Sequence, residues 1–155
     1  MRYEGAVAAL VQRFKFAGEP RAGALLVDLM LASLSRLPRE ECPEMLIAVP
    51  RHPVRAKEFG FDQAVWLAQQ LARRLEIPCL MARRIRCTPT QRGLDRRARL
   101  RNVQDAFGLE AALPAHVAVV DDIMTTGASL DALAETCRKA GAIHVEAWAA
   151  ARTPL

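Results

Sequence analysis

VAVVDDIMTTGASL, residues 117–130, sets two carboxylates side by side at the end of an apolar run and follows them with a small, hydroxyl-rich loop. HVAVVD (116–121) reads as a buried strand. GASLDALAETCRKAG (127–141) reads as a helix, with Lys139 in its last turn and Gly141 as its stop. Adjacent acids raise the cost of ionising one another, so the pairing of Asp121 with Asp122 needs a reason. Gly127 allows backbone angles that other residues resist, and successive amides at a helix start can then turn toward one anion. Thr125, Thr126 and Ser129 add hydroxyl donors. A polyphosphate loop needs G-x-x-x-x-G-K-[ST], which is absent, so the loop suits a monophosphate. Ionised carboxylates only accept hydrogen bonds, which fits vicinal ribose hydroxyls, and magnesium would lower the repulsion between the acids. The spacing therefore suits a ribose 5-phosphate unit, phosphate on the loop and diol on the acids. Two other readings share the pattern: a plain strand–turn–helix with an Asp cap, and a receiver domain. The receiver needs further strands bearing a phospho-acceptor aspartate and a lysine, and only one strand follows Asp122.

Outward from this stretch the pattern alternates. MLIAV (45–49) reads as a short buried strand ended by Pro50, and a basic loop, PRHPVRAKEFG, follows it. Asp62 can cap a helix over QAVWLAQQLARRLE, whose apolar face is Val65, Leu67 or Ala68, Leu71 and Leu75. CLMARRI (79–85) reads as a second strand and HVEAWAAA (144–151) as a final one. The amino-terminal portion, about 1–40, is helical: Tyr3, Val7, Leu10, Val11 and Phe14 recur at helical spacing, and Pro20 can open a second helix. Strands alternating with helices imply an α/β domain over residues 1–155, an open, mostly parallel sheet flanked by helices. Ligands of such sheets sit beyond the carboxyl ends of the strands at a topological switch point, which marks the loops after Val49 and Asp122.

The 155 residues are 52% hydrophobic and 25% charged, ordinary for a soluble domain. The longest apolar stretch, AGALLVDLMLASL, is interrupted by Asp28 and too short to span a bilayer, so no membrane role is expected. The first residues do not read as a secretory signal. Cys42, Cys79, Cys87 and Cys137 are scattered without a C-x-x-C pair, which fits separate thiols in a reducing cytoplasm. The net charge of +5 is unevenly spread, with eight arginines between Arg83 and Arg101. That cluster suits phosphate groups on a small ligand or on nucleic acid, or else a solvated basic helix face. It lacks the interleaved aromatics that single-strand binders use for stacking. His116 and His144 sit at strand starts, where structural roles are expected, and Trp66 and Trp148 read as core.

VAVVDDIMTTGAS resembles the phosphoribosyl-pyrophosphate motif of the type I phosphoribosyltransferases. FKFAGE (14–19), AVPRHPVRAKEFGFDQ (48–63) and RIRCTPTQRGLDRRARLRNVQDAF (84–107) extend the resemblance to the ComF-like, competence-associated branch, also termed GntX-like. The resemblance implies a phosphoribosyltransferase that uses magnesium and 5-phosphoribosyl 1-pyrophosphate, with an unidentified acceptor. It places the 5-phosphate on Thr125, Thr126, Gly127, Ala128 and Ser129, and the ribose hydroxyls and magnesium on Asp121 and Asp122. Arg51 and His52 would face pyrophosphate. Arg84, Thr88, Gln91, Arg97 and Asn102 fall on the family pattern in a mobile basic loop. The cysteine-rich zinc ribbon usual at the family's amino terminus has no counterpart in these residues, so zinc is not implied. The family's R-G-F-N-Q reads F-G-F-D-Q at Phe59 to Gln63, and Thr125 stands where purine-salvage relatives carry an aspartate base, so a purine acceptor is not implied. Competence suggests a second class, a ligand-sensing module with single-stranded DNA or competence proteins as partners. Homodimerisation is a further partner expectation.

Overall fold

The computed structural model describes residues 1–36, 38–51, 62–85 and 105–154. Four α-helices and six strands follow in chain order among them. Helix α1 (Gly5–Ala17) stops at Gly18, whose left-handed φ of 62° lets its amide return to Arg13 O. Helix α2 (Pro20–Leu34) opens on proline, which is pre-set for a first turn and has no amide to leave unpaired. Strand β1 (Met45–Ala48) precedes α3 (Gln63–Leu75). As the sequence suggests, the Asp62 carboxylate caps α3, accepting from the amides of Ala64 at 3.1 Å and Val65 at 3.3 Å. Then come β2 (Cys79–Met81), β3 (Arg83–Arg84), β4 (Phe107–Gly108), β5 (His116–Met124), α4 (Ala128–Lys139) and β6 (His144–Arg152).

The main sheet is parallel throughout, in the order β2-β1-β5-β6. The expected open parallel sheet flanked by helices is what forms. Two expectations change in detail. CLMARRI is not one strand: Cys79–Met81 joins the sheet, the chain breaks at buried Ala82, and Arg83–Arg84 turns away to pair antiparallel with Phe107–Gly108. The sheet has run out of partner there, since β1 ends opposite Met81 at Ala48. Conversely, β5 runs three residues past the expected end, because β6 offers partners as far as Arg152. Arg2 bridges that same Arg152 beyond the edge of β6.

Alternating strand residues feed two cores. Leu46, Ala48, Ala118 and Val120 face α1, α2 and α3, while Ile47, Val49, Val117 and Val119 face α4. The first core holds Phe14 and Leu26 at 2% exposure or less, with Leu67 and Leu71 sealed beside them. Gly23 lets α2 lie close there: a Cβ at that position would come within 2.5 Å of the Phe14 ring and 2.8 Å of Trp66. Those rings stack tilted with centroids 5.2 Å apart, which confirms the core reading of Trp66, and Trp148 is likewise buried in this core.

Candidate functional site

After β1 the chain travels outward through α3 to β2, then returns across β1 to β5. The strand order therefore reverses between β1 and β5, and their carboxyl ends border the crevice where such sheets bind ligands. Val49 donates to Val120 O at 2.9 Å, joining the two ends directly. The next residues of β5 are Asp121 and Asp122.

The strand's alternation breaks across this pair, because Val120 and Ile123, three apart, both pack on the first core. The acids themselves draw on the local main chain: Asp121 Oδ1 accepts from the Asp122 amide and Asp122 Oδ1 from the Ile123 amide, each at 2.8 Å. Asp122 Oδ2 also holds Lys15 Nζ at 2.7 Å. Lys15 arrives from the last turn of α1, held in place by fully buried Gln63, whose Nε2 donates to Lys15 O at 3.1 Å. The Gln63 Oε1 has no hydrogen-bond partner among the described residues. Burial, reinforced by the neighbouring Asp122 charge, lifts the Asp121 carboxyl well above the usual carboxylate range, with the Asp122 amide and the Lys15 charge pulling the other way. Among the described residues, the two acids share one lysine.

Behind the acids the chain bends through Thr125, Thr126 and Gly127 into α4. Gly127 caps that helix at φ 80°, a left-handed angle that favours glycine, and accepts the first helical bond from Asp131 N at 2.8 Å. Thr126 Oγ1 accepts from the Ala128 amide at 3.4 Å. Ala128 is buried, Ser129 half-buried and Thr125 exposed, so the first turn of α4 lies at the mouth of the crevice. Hard oxygen donors from two adjacent carboxylates are the chemistry that suits magnesium, and an acid held above its usual range is one that a cation would help to ionise.

The structure thus brings together Asp121, Asp122, Thr125, Thr126, Gly127, Ala128 and Ser129. Arg51 follows β1 at its carboxyl end, its amide donating to Asp62 Oδ2 at 2.7 Å. This explains the departure at Asp62: one carboxylate caps α3 with one oxygen and fastens the loop after β1 with the other. Arg84 lies elsewhere in the described contacts, its guanidinium 5.4 Å over the Phe107 ring on the small sheet. His52, Thr88, Gln91, Arg97 and Asn102 lie outside the described residues. Lys15 and Gln63 are functional candidates that the sequence did not single out. Both fall inside quoted segments, FKFAGE and FGFDQ, but nothing local ties Lys15 to an acid 107 residues away.

A parallel sheet that reverses between β1 and β5, with paired acids and a glycine-opened helix at the reversal, is a phosphoribosyltransferase-like fold. A purine phosphoribosyltransferase from Pyrococcus horikoshii superposes with a TM-score of 0.51 at 20% identity, over 81% of this chain and 71% of that one. In sequence, the chain is 37% identical to competence protein F of Haemophilus influenzae over 92% of its length and 66% of the relative's. It is 32% identical to the DNA utilization protein YhgH of Salmonella typhimurium over 97% of its length and 69% of the relative's. The chain belongs to this competence protein F and YhgH family, as the resemblance implied, and spans about two thirds of the length of these curated relatives. No family model matches it. Among the described residues, no helix is long and apolar enough to cross a membrane.

Proposed function

We propose that the chain binds 5-phosphoribosyl 1-pyrophosphate with magnesium and transfers the phosphoribosyl group to an acceptor nucleophile. The observation that supports this best is the contiguity of Asp121, Asp122 and left-handed Gly127 at the switch point of the sheet. In this reading the amides and hydroxyls from Thr125 to Ser129 take the 5-phosphate at the positive end of α4. Asp121 and Asp122 accept hydrogen bonds from the ribose hydroxyls. Arg51 and His52 take pyrophosphate. Magnesium, when bound, neutralises charge on the departing pyrophosphate. The protein's own contribution is orientation and charge: it holds the ribosyl carbon open to one face and excludes competing water.

Calorimetry with 5-phosphoribosyl 1-pyrophosphate, with and without magnesium chloride, tests this reading. The Asp121→Asn/Asp122→Asn variant should lose about a hundredfold or more in affinity, since hydrogen bonds to charged groups are worth about 1.5–3 kcal/mol each. Unchanged affinity rejects the site. Pyrophosphate release across an acceptor screen then reports turnover.

The relatives' printed names favour one second reading, a non-catalytic sugar-phosphate sensor acting in DNA utilization. It predicts binding to single-stranded DNA that falls steeply with salt and is lost on neutralising Arg96, Arg97 and Arg99.

A further inference from the structure

The amino ends of β5 and β6 hold a second cluster, at the opposite pole of the sheet from the acids. His116 and His144 are register partners on these adjacent strands, and Glu146 follows two residues after His144 on the same face. Their rings meet edge to face with centroids 4.5 Å apart. Glu146 Oε1 lies 2.7 Å from His116 Nε2 and 3.8 Å from His144 Nε2. One ligand atom from each of the three residues falls within 4.8 Å of the others, the only such group among the described residues. Asp121 lies five residue steps further along β5 than His116, roughly 17 Å at the usual rise.

We infer that His116, His144 and Glu146 form a binding site for a divalent transition-metal ion of the zinc class. Two imidazoles and one carboxylate are a borderline donor set, suited to zinc, nickel or copper rather than to magnesium or calcium. The spacing agrees. Ligands at tetrahedral zinc lie roughly 3.3 Å from one another, given zinc–ligand bonds of about 2.0–2.1 Å, and the two Glu146 distances bracket that value. The ion replaces the hydrogen bond between His116 and Glu146, with the imidazole protons carried on Nδ1. The supporting contacts are in place. Trp148 Nε1 donates to the other Glu146 oxygen at 2.8 Å and fixes the carboxylate, and the His116 amide donates to Glu44 Oε1 at 3.0 Å. Access is open, because the His144 side chain is 66% exposed while those of His116 and Glu146 are 19% and 26% exposed. Three protein ligands leave a position for water or a partner's side chain. The ion would clip the starts of two neighbouring strands together, so binding it raises the stability of the native state.

The test uses untagged, chelator-stripped protein titrated with zinc chloride in a calorimeter, with thermal unfolding alongside. One zinc equivalent should bind with micromolar affinity or better and raise the melting temperature. His144→Ala, at an exposed position, should keep the metal-free melting temperature and weaken zinc binding at least tenfold. Glu146→Gln, which preserves the acceptor for Trp148, should weaken it likewise. Nickel chloride should quench Trp148 fluorescence in the parent chain and not in His144→Ala. The Asp121→Asn/Asp122→Asn variant should bind zinc as the parent does, which separates this site from the acidic pair. Absence of zinc uptake by the parent, or equal uptake by His144→Ala and Glu146→Gln, overturns the assignment.

Discussion

Strand β5 carries polar groups at both ends, and the two ends settle their charge differently. At the amino end each acid meets a matching donor: Glu146 takes the His116 ring on one oxygen and the Trp148 indole on the other, while Glu44 takes the His116 amide. At the carboxyl end, among the described residues, two acids divide one lysine and otherwise accept from the amides beside them. Strand pairing runs unbroken from His116 to Asp121 and skips Asp122, but that change in the ladder brings no charge of its own. What differs is counter-charge. The acids of the amino end each have a protein donor already, and a metal ion there would exchange one of those bonds, whereas the carboxyl end gains most when something cationic or rich in hydroxyl donors joins it.

The most damaging way to disturb the carboxyl end is to remove the lysine that Asp122 holds. Lys15→Met leaves Asp122, whose side chain is 13% exposed, charged beside Asp121 without its lysine. Breaking a fully buried pair costs about 3–5 kcal/mol; with the lysine 26% exposed, the expected loss is about 2–3 kcal/mol at neutral pH. Adding Asp122→Asn should restore most of it. Urea midpoints of both variants check this, and a Lys15→Met chain as stable as the parent would mean that the acids are adequately solvated without it.

A smaller effect tests how the crevice walls are tied. Asp62→Ala removes the α3 cap and the acceptor for the Arg51 amide together, with an expected cost of about 1–2 kcal/mol. Asp62→Asn restores the family's residue and should cost less, because its amide oxygen can still cap the helix. The same thermal or urea unfolding curves decide the order. Equal losses for Ala and Asn would show that the bond to Arg51, rather than the cap, dominates.

The same contrast marks what the sequence could tell. Strand β1, the start of β5, the cap at Asp62 and the helix behind Gly127 were legible because each is a local pattern: an apolar run, a capping residue, a glycine at a turn. The acid pair stood out for the same reason, as a costly local arrangement. The break of CLMARRI at Ala82 and the extension of β5 to Met124 were not, since both depend on how long the neighbouring strand is. Lys15 was hidden because a lysine in the last turn of a helix is unremarkable until the fold delivers it to Asp122. The cluster at the amino end was hidden likewise: His116 and His144 meet only because β5 and β6 pair in register.

The smallest effect is the most diagnostic, and its sign is unusual. Burial first, then the Asp122 charge, holds the Asp121 carboxyl well above its ordinary value of 3.8. Between that ordinary value and the raised native one, the folded chain binds more protons than the unfolded chain. Stability therefore falls as pH rises through this window, the reverse of a salt-bridged acid. Asp121→Asn removes the ionisation and keeps an oxygen for the Asp122 amide. It should be more stable than the parent at pH 8, with the difference shrinking as pH falls toward about 4, where the unfolded carboxyl also takes up its proton. Glu146→Gln, at the other end of the sheet, should show no such gain, because its charge is already met by donors. Unfolding midpoints of both variants from pH 4 to 8 make the comparison. If Asp121→Asn gains stability while losing affinity for 5-phosphoribosyl 1-pyrophosphate, the acid is kept at a cost to folding because a ligand needs it. If it loses stability at pH 8, the acid belongs to the fold, and the two ends of β5 are alike after all.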